Sequence, residues 1–189
     1  MTGSLRFQLA AAIAGLAMVS GLVFQTSSAA FSGTTTNTGN SFAAGTVSLT
    51  DDDSGSAMFS LTNLKPGDSS TKCIELTYTG SLATSIKMYG AIGGGTSLGQ
   101  YLTVTITSGT PGTFADCSTF SGTQIYTGTL ANFATTYTNW ATGLDDANWT
   151  PNTNGQTRAY KFVVTLQDNN SAQGLTATST SFTWEAQNT

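Results

Sequence analysis

From Lys72 to Thr79 the side chains alternate in polarity at every step, and this period of two constrains the fold more than any other feature. Ile74, Leu76 and Tyr78 fall on one face of an extended chain, and Cys73, Glu75, Thr77 and Thr79 on the other. A helix would scatter the same residues around its axis. The pattern recurs along the chain. Val47 and Leu49 share a face in residues 46–49, as do Phe59 and Leu61 in 57–61, and Ile86 and Met88 in 85–89. Leu102, Val104 and Ile106 line up in residues 101–107, and Tyr160, Phe162, Val164 and Leu166 form the longest apolar row. A last run, 176–186, carries Phe182 and Trp184 inward.

Turn signals separate these runs. Residues 51–56, DDDSGS, read as a loop, and Lys65-Pro66-Gly67-Asp68 as a turn in which proline presets φ and glycine accepts φ > 0. Gly93, Gly94 and Gly95 read as a break, and residues 90–95 as a strand connection. They precede no helix, so they make a poor phosphate cradle. Strands at this spacing predict an all-β fold, a jelly roll or β-sandwich of about seven to nine mostly antiparallel strands. One stretch departs from the pattern. Leu130, Phe133, Ala134 and Tyr137 recur at three and four residues, which predicts one short helical insert.

Composition agrees with sheets. Charged residues make up 8% of the chain, against roughly 25% in ordinary soluble domains. Thr, Ser, Gly and Asn supply the polarity instead; Thr favours pleated surfaces, and the others favour turns. The formal charge is −4, with 6 Lys and Arg in all. So few scattered cations cannot neutralise a phosphate backbone, which argues against nucleic acid as a partner.

The first segment carries a targeting pattern. Arg6 precedes an apolar run, residues 9–24, and Ser27, Ser28 and Ala29 follow it. That order reads as a secretory signal peptide, 1–29, cut between Ala29 and Ala30. The run is short for a bilayer span of roughly 20 residues. A retained anchor is the alternative, and the membrane would then be met only through the uncleaved segment. Residues 30–189 are expected to form a single domain, secreted to the cell surface or extracellular matrix. Cys73 and Cys117 read as one disulfide in an exported chain, with two buried free thiols as the alternative.

A search for chemistry finds little. The chain has no histidine, so the usual base of a Ser or Cys triad and the HExxH zinc motif are both missing. Ser69 and Lys72 fit an S-x-x-K frame, but they lead into a strand. Asp145 and Asp146 sit near Trp140 and Trp149, a pair of acids beside aromatics that stack on sugars. Their sequence, ATGLDDANW, reads as an exposed turn, not as the acid and base of a glycosidase. No catalytic residue is assigned, and the chain is read as a non-enzyme. Trp140 and Trp149 are kept as glycan-binding candidates, which makes a matrix polysaccharide an alternative partner. Asp51, Asp52 and Asp53 offer the oxygen ligands that Ca²⁺ prefers, without the spacing of an EF-hand loop. They are read as solvated turn acids, with Ca²⁺ as the one cofactor alternative. Asn148-Trp149-Thr150 matches a glycosylation sequon, but Pro151 follows it.

The segment from residue 27 onward reads SSAAFSGTTTNTGNSFAAGTVSLT. It resembles the start of mature TasA/camelysin proteins, in which a SipW-type signal peptidase cuts before an Ala-Phe pair, here Ala30 and Phe31. A Phe-Ala-x-Gly-Thr strand then follows, here residues 42–49. Residues 63–90 are similar to the family's next strands, and residues 171–187 to the close of its actinobacterial members. The resemblance implies an exported jelly-roll domain of the cell surface or biofilm matrix. It also implies self-association into fibres by addition of an N-terminal donor strand, with residues 30–40 as the candidate donor and Phe31 as its anchor. Camelysin-like members are described as metalloproteases, an activity that a chain without histidine does not invite.

Overall fold

The computed structural model describes residues 44–188, with Thr96 excepted. The signal segment, the Ala29/Ala30 cleavage position and the donor candidate with Ala30 and Phe31 lie outside the described residues. Eight strands and one helix follow in order: β1 (Leu49–Asp51), β2 (Ser69–Tyr78), β3 (Thr84–Gly95), β4 (Leu102–Thr110), β5 (Ser121–Thr129), α1 (Leu130–Thr136), β6 (Leu144–Asp145), β7 (Gln156–Leu166) and β8 (Ala177–Asn188).

They form two antiparallel sheets, one in the order β1-β2-β7-β4-β5 and the other β6-β3-β8. The sequence reading of an all-β fold with one short helix matches this architecture. The apolar rows are the reason the sheets face each other. Ile74, Leu76 and Tyr78 of β2, Val104 and Ile106 of β4, and Tyr160 and Phe162 of β7 are all buried. Rings cross between the sheets, with Phe162 4.7 Å from Phe182 and Tyr160 5.4 Å from Trp184. Contacts of this kind contribute about 1 kcal/mol each beyond the area they bury.

α1 covers one side of the core. The Thr129 hydroxyl accepts from the Asn132 N–H at 3.1 Å and caps the helix start. Phe133 is fully buried, edge-on to Tyr126 at 5.1 Å and tilted against Phe182 at 5.5 Å. The three-and-four spacing in the sequence is the face that carries Phe133 inward.

Three local expectations are corrected. Residues 57–61 do not form a strand; Met58, Phe59 and Leu64 pack against the core from an irregular segment, and Leu61 is 39% exposed. The sheet positions this segment would need are already filled by β1 and β7 on either side of β2. The glycine run does not break the chain either, since β3 continues through Gly95, paired with Ala177. Glycine answers a close approach there: a Cβ on Gly90 would lie 2.6 Å from the Ser181 carbonyl and 3.0 Å from the Phe133 ring. Finally, residues 145 and 146 are not both exposed: Asp146 is buried.

Candidate functional site

The chain enters the described fold at one pole of the sandwich. There the Tyr78 hydroxyl donates to the Leu82 carbonyl at 2.6 Å and to the Thr46 carbonyl at 3.3 Å. Thr79 N–H donates to Ser48, and Ser81 N–H to Thr46. These bonds fasten residues 46–48 alongside residues 79–81 before β1 begins. Residues 46–48 are therefore a fixed part of this pole.

The opposite pole carries a groove of about 800 Å³. Leu61 and Leu64 from the irregular segment, Leu98, Leu166 at the end of β7, and Leu175 supply its apolar lining, and Asn169 and Gln173 lie among them. One wall is shaped by the turn at Lys65. The Lys65 N–H donates to the Asp68 carboxylate at 2.8 Å, the Asp68 N–H returns to the Lys65 carbonyl at 2.9 Å, and Gly67 takes φ +85°. That is the Pro-Gly turn expected from the sequence. Asn169 shapes another wall: its side chain accepts from the Ser171 N–H at 2.9 Å. The ten residues of β2 place the two poles about 30 Å apart at the rise of an extended strand.

Among the described residues, β8 pairs with β3 and with no second strand of its sheet. A smaller cavity of about 220 Å³ lies between β8, at Phe182 and Trp184, and β1, at Leu49 and Asp51.

Cys73 and Cys117 are joined in a disulfide, with their Cα atoms 5.4 Å apart. The bond holds the loop between β4 and β5 against β2, where the Ala115 N–H also donates to the Cys73 carbonyl at 2.8 Å. The acidic triplet takes part in the same clasp. Asp52 accepts the Glu75 N–H with one carboxylate oxygen at 2.9 Å and the Phe114 N–H with the other at 2.6 Å. Asp53 accepts from the Gly55 N–H at 2.6 Å. Burial, followed by the neighbouring Asp53, raises the Asp51 carboxyl above its ordinary range. Burial, followed by the Asp52 charge, raises Glu75. Asp52 thus ties three segments together through backbone amides.

Sequence reasoning missed a buried cluster centred on Asp146. Its carboxylate accepts the Ser108 hydroxyl at 2.5 Å and the Tyr160 hydroxyl at 2.9 Å, and the Asn148 N–H at 3.2 Å. Arg158 Nε lies 3.9 Å away, and its guanidinium donates to the Asn148 carbonyl. Burial, reinforced by the Asp146 charge, pushes the Tyr160 phenol well above its ordinary range. A carboxylate fully occupied by structural donors and shielded from solvent is not available to a substrate, so the cluster is a fastening.

The remaining candidates separate. Trp149 is 5% exposed and belongs to the core, which removes it from any sugar-stacking surface. Its place follows from Asp146, whose carbonyl accepts the Trp149 N–H at 2.9 Å and turns the ring inward. Trp140 stays half-buried at the surface, with the Lys87 ammonium 5.2 Å from its ring centroid. Ser69 and Lys72 are three apart on β2 and so project to opposite faces; the Ser69 hydroxyl is bonded to Thr165 at 2.9 Å.

Together these features define a disulfide-stapled antiparallel β-sandwich with a groove at one pole. The family model described as Camelysin metallo-endopeptidase matches residues 4–91, a little under half of the chain, and over that stretch the sequence is similar to TasA/camelysin proteins. The match covers the segments on which the N-terminal resemblance rests and stops before residues 171–187. Proteins of this family are exported. No curated protein matches the chain. Among the described residues, no helix is long and apolar enough to cross a membrane.

The family's description implies a metal, and the residues present do not fit one. The sequence has no histidine, and both cysteines are consumed in the disulfide. Among the described residues, no three His, Cys, Asp or Glu side chains gather as a ligand set. Within the acidic triplet Asp51, Asp52 and Asp53, Asp52 is committed to two backbone amides and Asp53 to a third, and the three do not form such a ligand set.

Proposed function

We propose that this chain is an exported structural subunit of the cell surface or biofilm matrix, and that copies assemble head to tail into fibres without catalysing a reaction. In this reading the N-terminal segment of one copy seats on the next. The observation that carries the reading is the placement of the two poles. Residues 46–48, just inside the start of the described chain, are fastened at the Tyr78 end, while the leucine-lined groove opens about 30 Å away at the Leu166 end.

A donor at one pole and an acceptor at the other make a heterologous contact, which builds an open filament when the rotation between copies does not close a ring. The candidate donor, residues 30–40, AFSGTTTNTGN, offers Phe31 as an apolar anchor among small polar residues. Eleven extended residues span about 36 Å, the length of one long strand. Among the described residues, no strand pairs with the side of β8 away from β3; this edge begins at Ala177, in the wall of the groove, and suits an arriving strand.

Leu61 allows a direct test, because it is exposed and its replacement spares the core. Leu61→Arg is predicted to leave the fold intact by circular dichroism and to abolish concentration-dependent assembly in sedimentation. A folded Leu61→Arg protein that assembles like the parent contradicts the groove as acceptor.

A further inference from the structure

The outer face of the three-stranded sheet presents a set of groups that neither the core nor the assembly reading uses. Lys87 and Tyr89 of β3 project from this face two residues apart, and Glu185 of β8 stands directly opposite Lys87. The Glu185 carboxylate is held by two neutral donors: the Tyr89 hydroxyl at 3.0 Å and the Gln187 amide at 2.8 Å. Asp145 of β6 flanks Lys87 on the other side. The Lys87 ammonium lies over the Trp140 ring.

Trp140 sits on a turn that its neighbours hold rigid. The Thr142 hydroxyl accepts from the Thr138 N–H at 3.0 Å, and the Asn139 side chain accepts from the Ala141 N–H at 2.9 Å. The face thus has two aromatic groups on fixed backbone, with an oriented carboxylate and an amide between β3 and β8. Its charges are one cation between two anions, so it offers no concentrated positive field to an acidic polymer.

We propose that this face binds an extended, uncharged polysaccharide. A pyranose ring has one face of C–H groups that packs on Trp140 or Tyr89, and a rim of hydroxyls that donate to Glu185 and accept from Gln187. Carboxylate acceptors give the stronger of these bonds. A flat sheet face suits a chain of linked rings better than a single sugar, because each ring adds a small contact. The site is built from side chains on the sheet face and needs no second copy to complete it.

The test is isothermal titration of the whole purified chain with cellohexaose, laminarihexaose and chitohexaose, with alginate oligomers as an anionic comparison. The expected result is saturable binding of at least one neutral hexaose. Trp140→Ala should weaken it at least tenfold and Glu185→Gln severalfold, with unchanged circular dichroism. Tyr89→Phe keeps the ring and releases Glu185, so it separates stacking from carboxylate orientation if Trp140→Ala folds poorly. No binding of any neutral hexaose overturns the proposal, as does binding of alginate alone or full affinity in folded Trp140→Ala.

Discussion

The Tyr160 hydroxyl donates to the Asp146 carboxylate at 2.9 Å, with both residues almost wholly removed from solvent. Tyr160 belongs to a central strand and Asp146 to the connection after β6, so this one bond ties a surface segment into the middle of the five-stranded sheet. Ser108 reaches the same carboxylate from β4. Replacing Asp146 with Ala strands two buried hydroxyls and the neighbouring Arg158, a loss of about 3 kcal/mol. Tyr160→Phe removes one bond and should cost about 1 kcal/mol. Guanidinium unfolding of the two variants tests the order; an Asp146→Ala protein as stable as the parent contradicts it.

The acid range should reveal the crowding around Glu75. Burial and then the Asp52 charge raise its carboxyl above the ordinary 4.5. The folded state therefore favours the protonated form. That preference stabilises the fold fully below about pH 4.5 and is lost as pH rises through the raised folded value. Glu75→Gln mimics the protonated form at all pH values. It is predicted to melt above the parent at pH 7 and level with it at pH 4. A variant that melts below the parent at pH 7 contradicts this sign.

The disulfide should matter through the length of chain it closes. A separation of 44 residues corresponds to roughly 3–4 kcal/mol in the chain-entropy account. The Cys73→Ala/Cys117→Ala variant should lose that amount in guanidinium unfolding. It should also expose the loop at Ala115 and Phe114 to proteolysis. A double variant within about 1 kcal/mol of the parent, with the loop still protected, contradicts the clasp.

Much of the sandwich is legible in sequence because its central strands alternate strictly. Tyr160, Phe162, Val164 and Leu166 announce β7 without any tertiary information, and Phe133 with Tyr137 announces α1. β5 is silent for the opposite reason. It is an edge strand in which only Tyr126 is buried, and Ser, Thr, Gly and Gln fill most of its other positions. The glycine run of β3 reads as a break until Gly94 is seen paired with Thr178 and Gly95 with Ala177 of β8.

The sites were less legible than the fold. Asp145 and Asp146 look alike in a turn, and only Ser108 and Tyr160, distant in sequence, distinguish the buried one. Trp149 looks as available as Trp140 until its N–H is found bonded to the Asp146 carbonyl. The groove draws its lining from three separated segments, 61–66, Leu98 and 166–178, so no single stretch could signal it. Of the outer-face residues, the sequence singles out Trp140 and Asp145 only, because the pairing of β3 with β8 is what sets Tyr89 beside Glu185.

The central claim is that the N-terminal segment joins one copy to the next. Negative-stain electron microscopy of residues 30–189 beside residues 41–189 tests it most directly, since both versions contain all the described residues. The account predicts filaments from the longer protein, growing with concentration, and dispersed single particles from the shorter. Dispersed particles from both, across concentration and pH, would contradict it, and so would filaments that form equally well without residues 30–40.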